Sequence, residues 1–348
     1  MSAVQEAIRL LTEGNSIDAD LTGRAAAEIL AGEATPAQIG AFLVALRIRG
    51  ETPEQMAAFV RAMRACATPV EIADRASLVD TCGTGGDAAG TFNISTAAAI
   101  VAAGAGARVA KHGNRAVTSS PGAGSADVLA ALGVKIDCSP ETSARCLDAC
   151  GLAFFFAPAY HSAMRHAGPA RREIGVRTIL NSLGPLANPA GARRQLIGVG
   201  APELAERFAE VLGCLNAEHV MIVHGDDGLD ELTLTTSSRI VEVRGGQVER
   251  RTFNPADYGL KVCRPEDLVG AATADGRADI VRGVVRGDDD GPRRTVTEIN
   301  AAAALIVGGR ADDFEAGLRL AAEAIDSGAA ARVLDQLVEI SSTGGDEA

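Results

Sequence analysis

The stretch with the clearest chemical potential is a glycine-rich turn, Val79-Asp-Thr-Cys-Gly-Thr-Gly-Gly-Asp-Ala-Ala-Gly-Thr-Phe-Asn-Ile-Ser-Thr96. The pattern predicts a strand, then the turn, then a helix over residues 97–103. Such a turn presents free backbone N–H groups and the positive end of a helix dipole to an anion, and its glycines allow close approach. The segment therefore predicts a phosphate site. An ordinary strand-to-helix turn, with Ser95 or Thr96 as the helix cap, is the alternative.

A second, basic turn indicates which class of phosphate ligand would bind. The chain has no G-x-x-x-x-G-K-[ST] motif at the glycine-rich turn, which disfavours a P-loop nucleotide site. The weak dinucleotide pattern Gly83-x-Gly85-x-x-Ala88 is present, but the next strand ends in Lys111-His-Gly-Asn-Arg115 and not in a ribose-binding carboxylate. Parallel strands bring their carboxyl ends to one crevice, so we expect this basic turn beside the first. Two anionic groups, or one diphosphate, would fit there.

An acidic turn follows a third buried strand. Residues 220–224 form a continuous apolar run that ends in His224, and Gly225-Asp-Asp-Gly-Leu-Asp-Glu231 comes next. Four carboxylates in so short a turn are costly unless they are solvated or neutralised by a hard cation. The spacing does not match an EF-hand, whereas Mg²⁺ held by one or two carboxylates and by phosphate oxygens would fit. An exposed acidic loop is the alternative.

The elements that must position these turns can be predicted from the same sequence. The first seventy residues have helical periodicity, and two helix starts carry capping boxes, Thr35-Pro-Ala-Gln38 and Thr52-Pro-Glu-Gln55. From Leu78 onward, short β-branched runs alternate with alanine-rich helices, which is typical of a sheet with crossover helices. The clearest candidate strands are residues 78–82, 108–111, 152–156, 220–224 and 240–243.

The predicted fold class is α/β, with a small helical N-terminal domain and a larger α/β domain. The larger domain should contain a central mixed, mostly parallel sheet flanked by helices. We place the helical domain at residues 1–72 and the α/β domain at 73–348. Residues 161–190 interrupt the strand and helix alternation, read as helix, and are expected to pack back onto the helical domain.

Composition limits the function classes. The net charge of −12 argues against nucleic acid or an acidic lipid surface as a partner. The longest small apolar run, residues 97–107, is too short for a membrane span, and residues 1–20 show no secretory signal pattern, so we expect a cytoplasmic protein. The seven cysteines form no C-x-x-C pair and are expected to be free thiols, although Cys146 and Cys150 share a helical face and could pair or bind metal.

Taken together, the motifs resemble those of the anthranilate phosphoribosyltransferase family along essentially the whole chain. The matching stretches are Gly83-Thr-Gly-Gly-Asp87, Asn93-Ile-Ser-Thr96, Lys111-His-Gly-Asn-Arg115, Gly124-Ser-Ala-Asp-Val128, Arg171-Arg-Glu-Ile-Gly175, Asn181-Ser-Leu-Gly-Pro-Leu-Ala-Asn-Pro189 and Gly228-Leu-Asp-Glu231. The resemblance implies a glycosyltransferase of tryptophan biosynthesis. It would transfer phosphoribosyl from phosphoribosyl pyrophosphate to the amine of anthranilate and release pyrophosphate. A homodimer and bound Mg²⁺ are also implied.

The resemblance also implies the site residues. Those that would carry catalysis are Asp230, Glu231 and Lys111. Those that would bind phosphoribosyl pyrophosphate are Gly83, Gly86, Asp87, Thr91, Asn93, Ile94, Ser95, Thr96, Lys111, His112, Gly113, Asn114, Arg115, Ala116, Val117, Thr118 and Ser119. Those that would bind anthranilate are Gly83, Asn114 and Arg171, and those that would hold Mg²⁺ are Ser95, Asp230 and Glu231.

Two other functions stay open at this stage. One is a pyrimidine-nucleoside phosphorylase-like enzyme, against which the Asp230–Glu231 turn and Arg171 weigh. The other is a non-enzymatic relative that binds nucleic acid, against which the net charge weighs. The predicted chemistry needs positioning and charge neutralisation more than proton transfer, so we interpret His112 and His161 as packing or hydrogen-bonding residues.

Overall fold

The computed structural model describes residues 1–85, 89–116 and 123–343. Five of the residues that the resemblance implicates therefore lie outside the described residues. They are Gly86, Asp87, Val117, Thr118 and Ser119.

The chain begins with four helices. They are α1 (Ala3–Thr12), α2 (Ala19–Ala31), α3 (Pro36–Arg49) and α4 (Pro53–Ala65). Both predicted capping boxes are confirmed, because the hydroxyls of Thr35 and Thr52 accept from the backbone N–H of Gln38 and Gln55, respectively. These reciprocal bonds satisfy N–H groups that have no partner inside the helix, and they fix where α3 and α4 begin.

After these helices, the described part of the chain contains a seven-stranded sheet in the order β3-β2-β1-β4-β5-β6-β7. The strands are β1 (Leu78–Gly83), β2 (Arg108–Gly113), β3 (Leu152–Phe156), β4 (Arg194–Gly198), β5 (His219–Gly225), β6 (Ser238–Arg244) and β7 (Gln247–Phe253). Strands β1 to β5 pair in parallel, whereas β5 pairs with β6 and β6 with β7 in antiparallel fashion. The predicted mixed, mostly parallel sheet is confirmed.

Ten further helices lie within the described residues. They are α5 (Ile94–Gly104), α6 (Ser125–Ala131), α7 (Pro140–Cys150), α8 (Ala157–Tyr160), α9 (Gly168–Ile174), α10 (Pro202–Cys214), α11 (Ala274–Arg286), α12 (Pro292–Val307), α13 (Phe314–Asp326) and α14 (Ala329–Thr343). All seven cysteines are free thiols, as predicted. Within the described residues, no helix is long and apolar enough to cross a membrane.

Residues 161–190 do not form the continuous helical segment that their sequence predicts. They form the seven-residue helix α9 and three short 3₁₀ turns, Ser162–His166, Ile179–Asn181 and Gly184–Leu186. Gly175 ends α9 in the left-handed conformation, and Pro185 lacks the N–H that a longer helix would need. Apolar side chains of this segment, among them Ala170 and Leu183, are buried in the same cluster as those of α1 to α4.

Two apolar layers enclose the sheet. One contains α1 to α4, the segment just described, α10 and side chains of one sheet face such as Ile197 and Ile222. The other contains α5, α12 and α14 with side chains such as Leu196 and Met221. Adjacent residues of one strand thus point into different layers, as the two-residue period of a strand requires. The predicted fold class is confirmed.

Candidate active site

The glycine-rich turn begins where the strand order reverses. From β1 the chain passes through α5 to β2 on one side, whereas β4 and then β5 lie on the other side of β1. In open parallel sheets, ligands bind in the crevice outside the carboxyl ends of the strands at such a reversal. Gly83, the last residue of β1, pairs there with Gly198, the last residue of β4. The two strand ends therefore define the floor of the candidate site.

The acidic turn after β5 lies directly on this floor. The backbone N–H of Gly85 donates a hydrogen bond of 2.9 Å to Asp230 Oδ2. A β-carbon on Gly83 would stand 2.8 Å from the same oxygen, and one on Gly198 would stand 1.6 Å from the Asp230 carbonyl oxygen. Only glycine allows this approach at Gly198, because the overlap would be with backbone and could not be relieved by a side-chain rotation.

Helix α5 directs its N-terminus at the same crevice. It begins at Ile94, three residues before the predicted start, and its N-cap is Asn93, which makes no side-chain cap bond. The alternative in which Ser95 or Thr96 caps the helix is therefore wrong, since both lie in its first turn. Asn93 Oδ1 and Thr96 Oγ1 are buried without a hydrogen-bond partner among the described residues, an arrangement that a polar ligand would complete.

Lys111 lies inside strand β2, which continues two residues beyond its predicted end, to Gly113. The Lys111 side chain is buried, and its Nζ donates to the Thr81 carbonyl and, at 3.3 Å, to Ser95 Oγ. Burial lowers the pKa of Lys111, while surrounding carboxylates, including those of Asp230 and Glu231, act in the opposite direction. A buried ammonium thus lies between the first turn of α5 and the acidic turn.

His112 is held in the protein interior by Asp80. Its Nδ1 lies 2.6 Å from Asp80 Oδ2, its Nε2 lies 2.9 Å from the Gly184 carbonyl oxygen, and its backbone N–H donates to Asp80 Oδ1 at 3.1 Å. Burial acts to lower the pKa of His112, but the charge of Asp80 and its hydrogen bond outweigh this and raise the pKa. Neither the Asp80 carboxylate nor the Gly184 carbonyl can donate, so this arrangement favours the imidazolium form of the ring.

The turn after β2 is organised by an aspartate that the sequence did not single out. Asp127 Oδ2 accepts from the backbone N–H groups of Ala116 and Gly124, and Asp127 Oδ1 accepts from Arg115 Nη1 at 2.7 Å. The Arg115 guanidinium is therefore paired with a carboxylate. Asn114 Oδ1 accepts from the Arg115 backbone N–H at 2.8 Å. Asp127 therefore fixes the backbone at Ala116 and at Gly124.

The four carboxylates of the acidic turn divide into two pairs with different surroundings. Asp226 forms an ion pair with Arg239 Nε at 2.8 Å and accepts from Ser237 Oγ at 2.6 Å. Asp227 accepts from the hydroxyls of Thr233 and Thr235. These bonds stabilise the turn itself, whereas Asp230 accepts from the backbone N–H of Gly85 in the glycine-rich turn.

The residues present fit a hard cation. Ser95, Asp230 and Glu231 offer a hydroxyl and two carboxylates, the oxygen donors that Mg²⁺ prefers. A second group of potential ligands, Asp80, Cys82 and His112, lies close together and buried. That group does not suit Mg²⁺, because thiol and imidazole are softer ligands. Burial also raises the pKa of Cys82 and keeps it a thiol.

Arg171 lies on α9, in the segment that packs with the N-terminal helices. The residue is exposed, and its guanidinium has no hydrogen bond or ion pair with any other residue in the described ranges. Partial burial of the guanidinium lowers the pKa of Arg171. No hydrogen bond joins it to Gly83 or Asn114. Its two neighbours in the arginine-rich stretch, Arg172 and Arg177, are exposed as well.

The remaining implicated residues contribute backbone more than side chain. Ile94 is buried in the apolar core, so that only its main chain faces the crevice. Thr91 pairs with Val269 in an isolated antiparallel bridge. A β-carbon on Gly113 would overlap Ser125 Oγ. These positions are set by close packing around the crevice.

Comparison with known proteins agrees with this architecture. A glycosyl transferase family, helical bundle domain, matches residues 5–67, and a glycosyl transferase family, a/b domain, matches residues 75–331. An anthranilate phosphoribosyltransferase of Roseiflexus sp. (strain RS-1) is 48% identical over 98% of this chain and 99% of its own length. The chain belongs to the anthranilate phosphoribosyltransferase family. An anthranilate phosphoribosyltransferase of Moorella thermoacetica is 53% identical over 89% of this chain and 90% of its own length.

Solved structures support the same family. The anthranilate phosphoribosyltransferase of Thermus thermophilus is 40% identical, has a TM-score of 0.89, and is aligned over 99% of this chain and 100% of that one. The Saccharomyces cerevisiae anthranilate phosphoribosyltransferase, in complex with phosphoribosyl pyrophosphate and Mg, is 25% identical with a TM-score of 0.86 over 98% of both chains. The resemblance inferred from the motifs is confirmed, as is the prediction of a glycosyltransferase.

Proposed function

We propose that this chain transfers the phosphoribosyl group of phosphoribosyl pyrophosphate to the amine of anthranilate and releases pyrophosphate, as a step of tryptophan biosynthesis. The observation that carries the proposal is the contact between Gly85 and Asp230 at the strand-order reversal. It joins a turn suited to phosphate with a turn suited to a hard cation. The family names of the relatives agree with this reaction, and neither alternative function has a comparable observation in its favour.

The diphosphate would bind between the glycine-rich turn and the N-terminus of α5. Backbone N–H groups of the first helical turn and the helix dipole favour an anion there, and the unpartnered oxygens of Asn93 and Thr96 offer acceptors for ribose hydroxyls. Lys111 would supply a positive charge from the floor of the crevice. The full binding set proposed is Gly83, Gly86, Asp87, Thr91, Asn93, Ile94, Ser95, Thr96 and residues 111–119.

Ser95, Asp230 and Glu231 would hold Mg²⁺. The bound cation would neutralise charge that develops on the leaving pyrophosphate. The Lys111 ammonium, whose Nζ lies within hydrogen-bond distance of Ser95 Oγ, would add positive charge beside these ligands. Placing anionic ligands in a chain of net charge −12 requires such local positive groups.

Anthranilate would be bound through its carboxylate by Arg171, with Gly83 and Asn114 beside it. A guanidinium suits a carboxylate because its planar fork donates two parallel hydrogen bonds. The lack of a described partner for Arg171 supports this role, since its donors are available to a ligand. Catalysis would depend on positioning the aromatic amine and on charge stabilisation more than on a general base.

The assembly, location and domain boundaries are proposed with the function. We propose a homodimer, as the family resemblance implies. Sedimentation analysis tests it. We propose a cytoplasmic location, in keeping with the seven free thiols. We also propose a helical domain at residues 1–72, with 161–190 associated, and an α/β domain at 73–348.

The proposed reaction is tested by following the fluorescence of anthranilate in the presence of the purified chain. We expect fluorescence to fall when phosphoribosyl pyrophosphate and Mg²⁺ are both present. Omitting either one should abolish the change. Persistent fluorescence with all components present would contradict the proposal.

A further inference from the structure

A buried arginine far from the implicated residues in sequence contacts the end of the glycine-rich turn. Arg277, in the first half of α11, is 6% exposed. Its Nη1 donates to the Thr91 carbonyl, its Nη2 donates to the Gly90 carbonyl at 3.3 Å, and its Nε donates to the Ala271 carbonyl at 2.7 Å. Three nitrogens of one guanidinium thus hold three carbonyls from two separate segments.

The two segments also contact each other directly. Phe92 N–H donates to the Leu268 carbonyl at 3.1 Å, Gly270 N–H donates to the Gly90 carbonyl at 2.9 Å, and Thr91 bridges to Val269. A β-carbon on Gly270 would stand 2.8 Å from Arg277 Cζ and 2.9 Å from Phe92 Cα. Residues 90–92 are therefore packed between the guanidinium and residues 268–270, immediately before α5 begins.

The burial of this side chain makes Arg277 unusual among the described arginines. Burying a guanidinium is costly, and burial lowers the pKa of Arg277. The semi-buried Arg294 meets carboxylates, whereas the semi-buried Arg64 donates to the single carbonyl of Leu186. Within the described residues Arg277 bonds to backbone carbonyls, so its fork geometry fixes main-chain position.

We infer that Arg277 is a positioning residue for the binding of phosphoribosyl pyrophosphate. This inference rests on the proposed function, which places the diphosphate and ribose on the turn that ends at Thr91 and on the N-terminus of α5. Fixing the Gly90 and Thr91 carbonyls fixes the direction in which Thr91 and Asn93 face the crevice. A ligand that meets a preformed turn loses less free energy to ordering it. The residues proposed for anthranilate, Gly83, Asn114 and Arg171, do not include residues 90–91, which Arg277 holds.

The test compares Arg277→Ala with Arg286→Ala, an exposed arginine of the same helix whose ion pair is with Asp335. We expect Arg277→Ala to raise both the KM for phosphoribosyl pyrophosphate and the Kd measured by calorimetry with that compound alone about tenfold or more. The KM for anthranilate should stay within about twofold of the parent value. Adding methylguanidinium should restore part of the lost affinity, because it can donate again to the carbonyls that Arg277 holds. Arg286→Ala should behave like the parent protein.

Two results would overturn the inference: an Arg277→Ala variant that matches Arg286→Ala in both constants, or one in which both KM values rise equally without methylguanidinium rescue. If Arg277→Ala does not fold, Arg277→Lys replaces it. In Arg277→Lys one ammonium replaces three guanidinium nitrogens, so we expect a smaller rise in the KM for phosphoribosyl pyrophosphate. An unchanged KM for that substrate would again contradict the inference. A parent protein without transferase activity would instead contradict the proposed function, and calorimetry with phosphoribosyl pyrophosphate alone would still test Arg277.

Discussion

Gly198 and Asp230 are in backbone contact, so close that a β-carbon on Gly198 would stand 1.6 Å from the Asp230 carbonyl oxygen. This contact sets the acidic turn against the end of β1, where the Gly85 N–H reaches Asp230 Oδ2. The position of the acidic turn relative to the glycine-rich turn therefore depends on Gly198, which has no side chain.

The first prediction concerns Gly198→Ala. The added methyl group must displace residues 229–231, and a shift of about 1 Å in a catalytic group can cost roughly 100-fold in rate. We expect kcat/KM to fall by about that factor. Gly213→Ala is the matched control, since a β-carbon there meets nothing within 4 Å and the residue lies in α10. Equal activity of the two variants would show that the contact is unimportant.

The second prediction concerns the carboxylates themselves. Asp230→Ala combined with Glu231→Ala should lose most turnover at every Mg²⁺ concentration, because the proposed metal ligands are gone. Glu249→Ala removes a carboxylate from the exposed strand β7 and should keep full activity. Steady-state rates across an Mg²⁺ titration measure both. Near-normal rates for the double variant would contradict the proposed metal site.

The third prediction separates the two substrates. Arg171→Ala should raise the KM for anthranilate about tenfold, the effect of losing one charge-assisted contact of about 1.4 kcal/mol. The KM for phosphoribosyl pyrophosphate should change little. Arg172→Ala, the exposed neighbour on the same helix, is the control. A change confined to phosphoribosyl pyrophosphate would place Arg171 elsewhere in the mechanism.

The fourth prediction concerns stability and pH. The pKa of Asp80 is lowered from 3.8: burial acts to raise it, but the His112 charge and hydrogen bond outweigh burial. The pKa of His112 is raised from 6.5. The pair should therefore stabilise the fold fully between about pH 4 and pH 6.5. This stabilisation decreases as pH rises through the raised pKa of His112, and it also decreases as pH falls through the lowered pKa of Asp80.

His112→Gln tests this pH dependence. Because it leaves Asp80 buried without its cation, we expect it to reduce the free energy of unfolding by about 3 to 5 kcal/mol at pH 6. The difference from the parent should shrink toward pH 9. Urea unfolding at several pH values measures it. A difference that does not vary with pH would mean that His112 is neutral in the folded protein.

The sequence predicted the parts of the site that consist of contiguous motifs. The glycine-rich turn, the basic turn after β2 and the acidic turn after β5 each follow a recognisable strand, so their convergence could be expected from parallel pairing. Strand β4 was not among the clearest candidates, because Arg194 and Gln195 leave it only a short apolar run. Without β4, the pairing of Gly83 with Gly198 could not be anticipated.

The position of Arg277 could not be predicted from the sequence, for a different reason. An arginine in an amphipathic helix normally lies on the solvent side, and no local pattern indicates that this one is buried. Its partners are carbonyls of residues 90 and 91, which carry no side-chain signal and lie far away in the sequence. Asp80 and Asp127 were missed for a similar reason, because their partners include backbone N–H groups of residues 112, 116 and 124.

The most direct test of the central claim is a comparison of two substrate pairs with the purified protein. One reaction contains anthranilate, phosphoribosyl pyrophosphate and Mg²⁺, and the other contains a pyrimidine nucleoside with inorganic phosphate. Anthranilate loss is followed by fluorescence, and release of pyrophosphate and free pyrimidine is measured in parallel. We predict loss of anthranilate with release of an equal amount of pyrophosphate, and no phosphorolysis of the nucleoside. Phosphorolysis without anthranilate consumption would contradict the account.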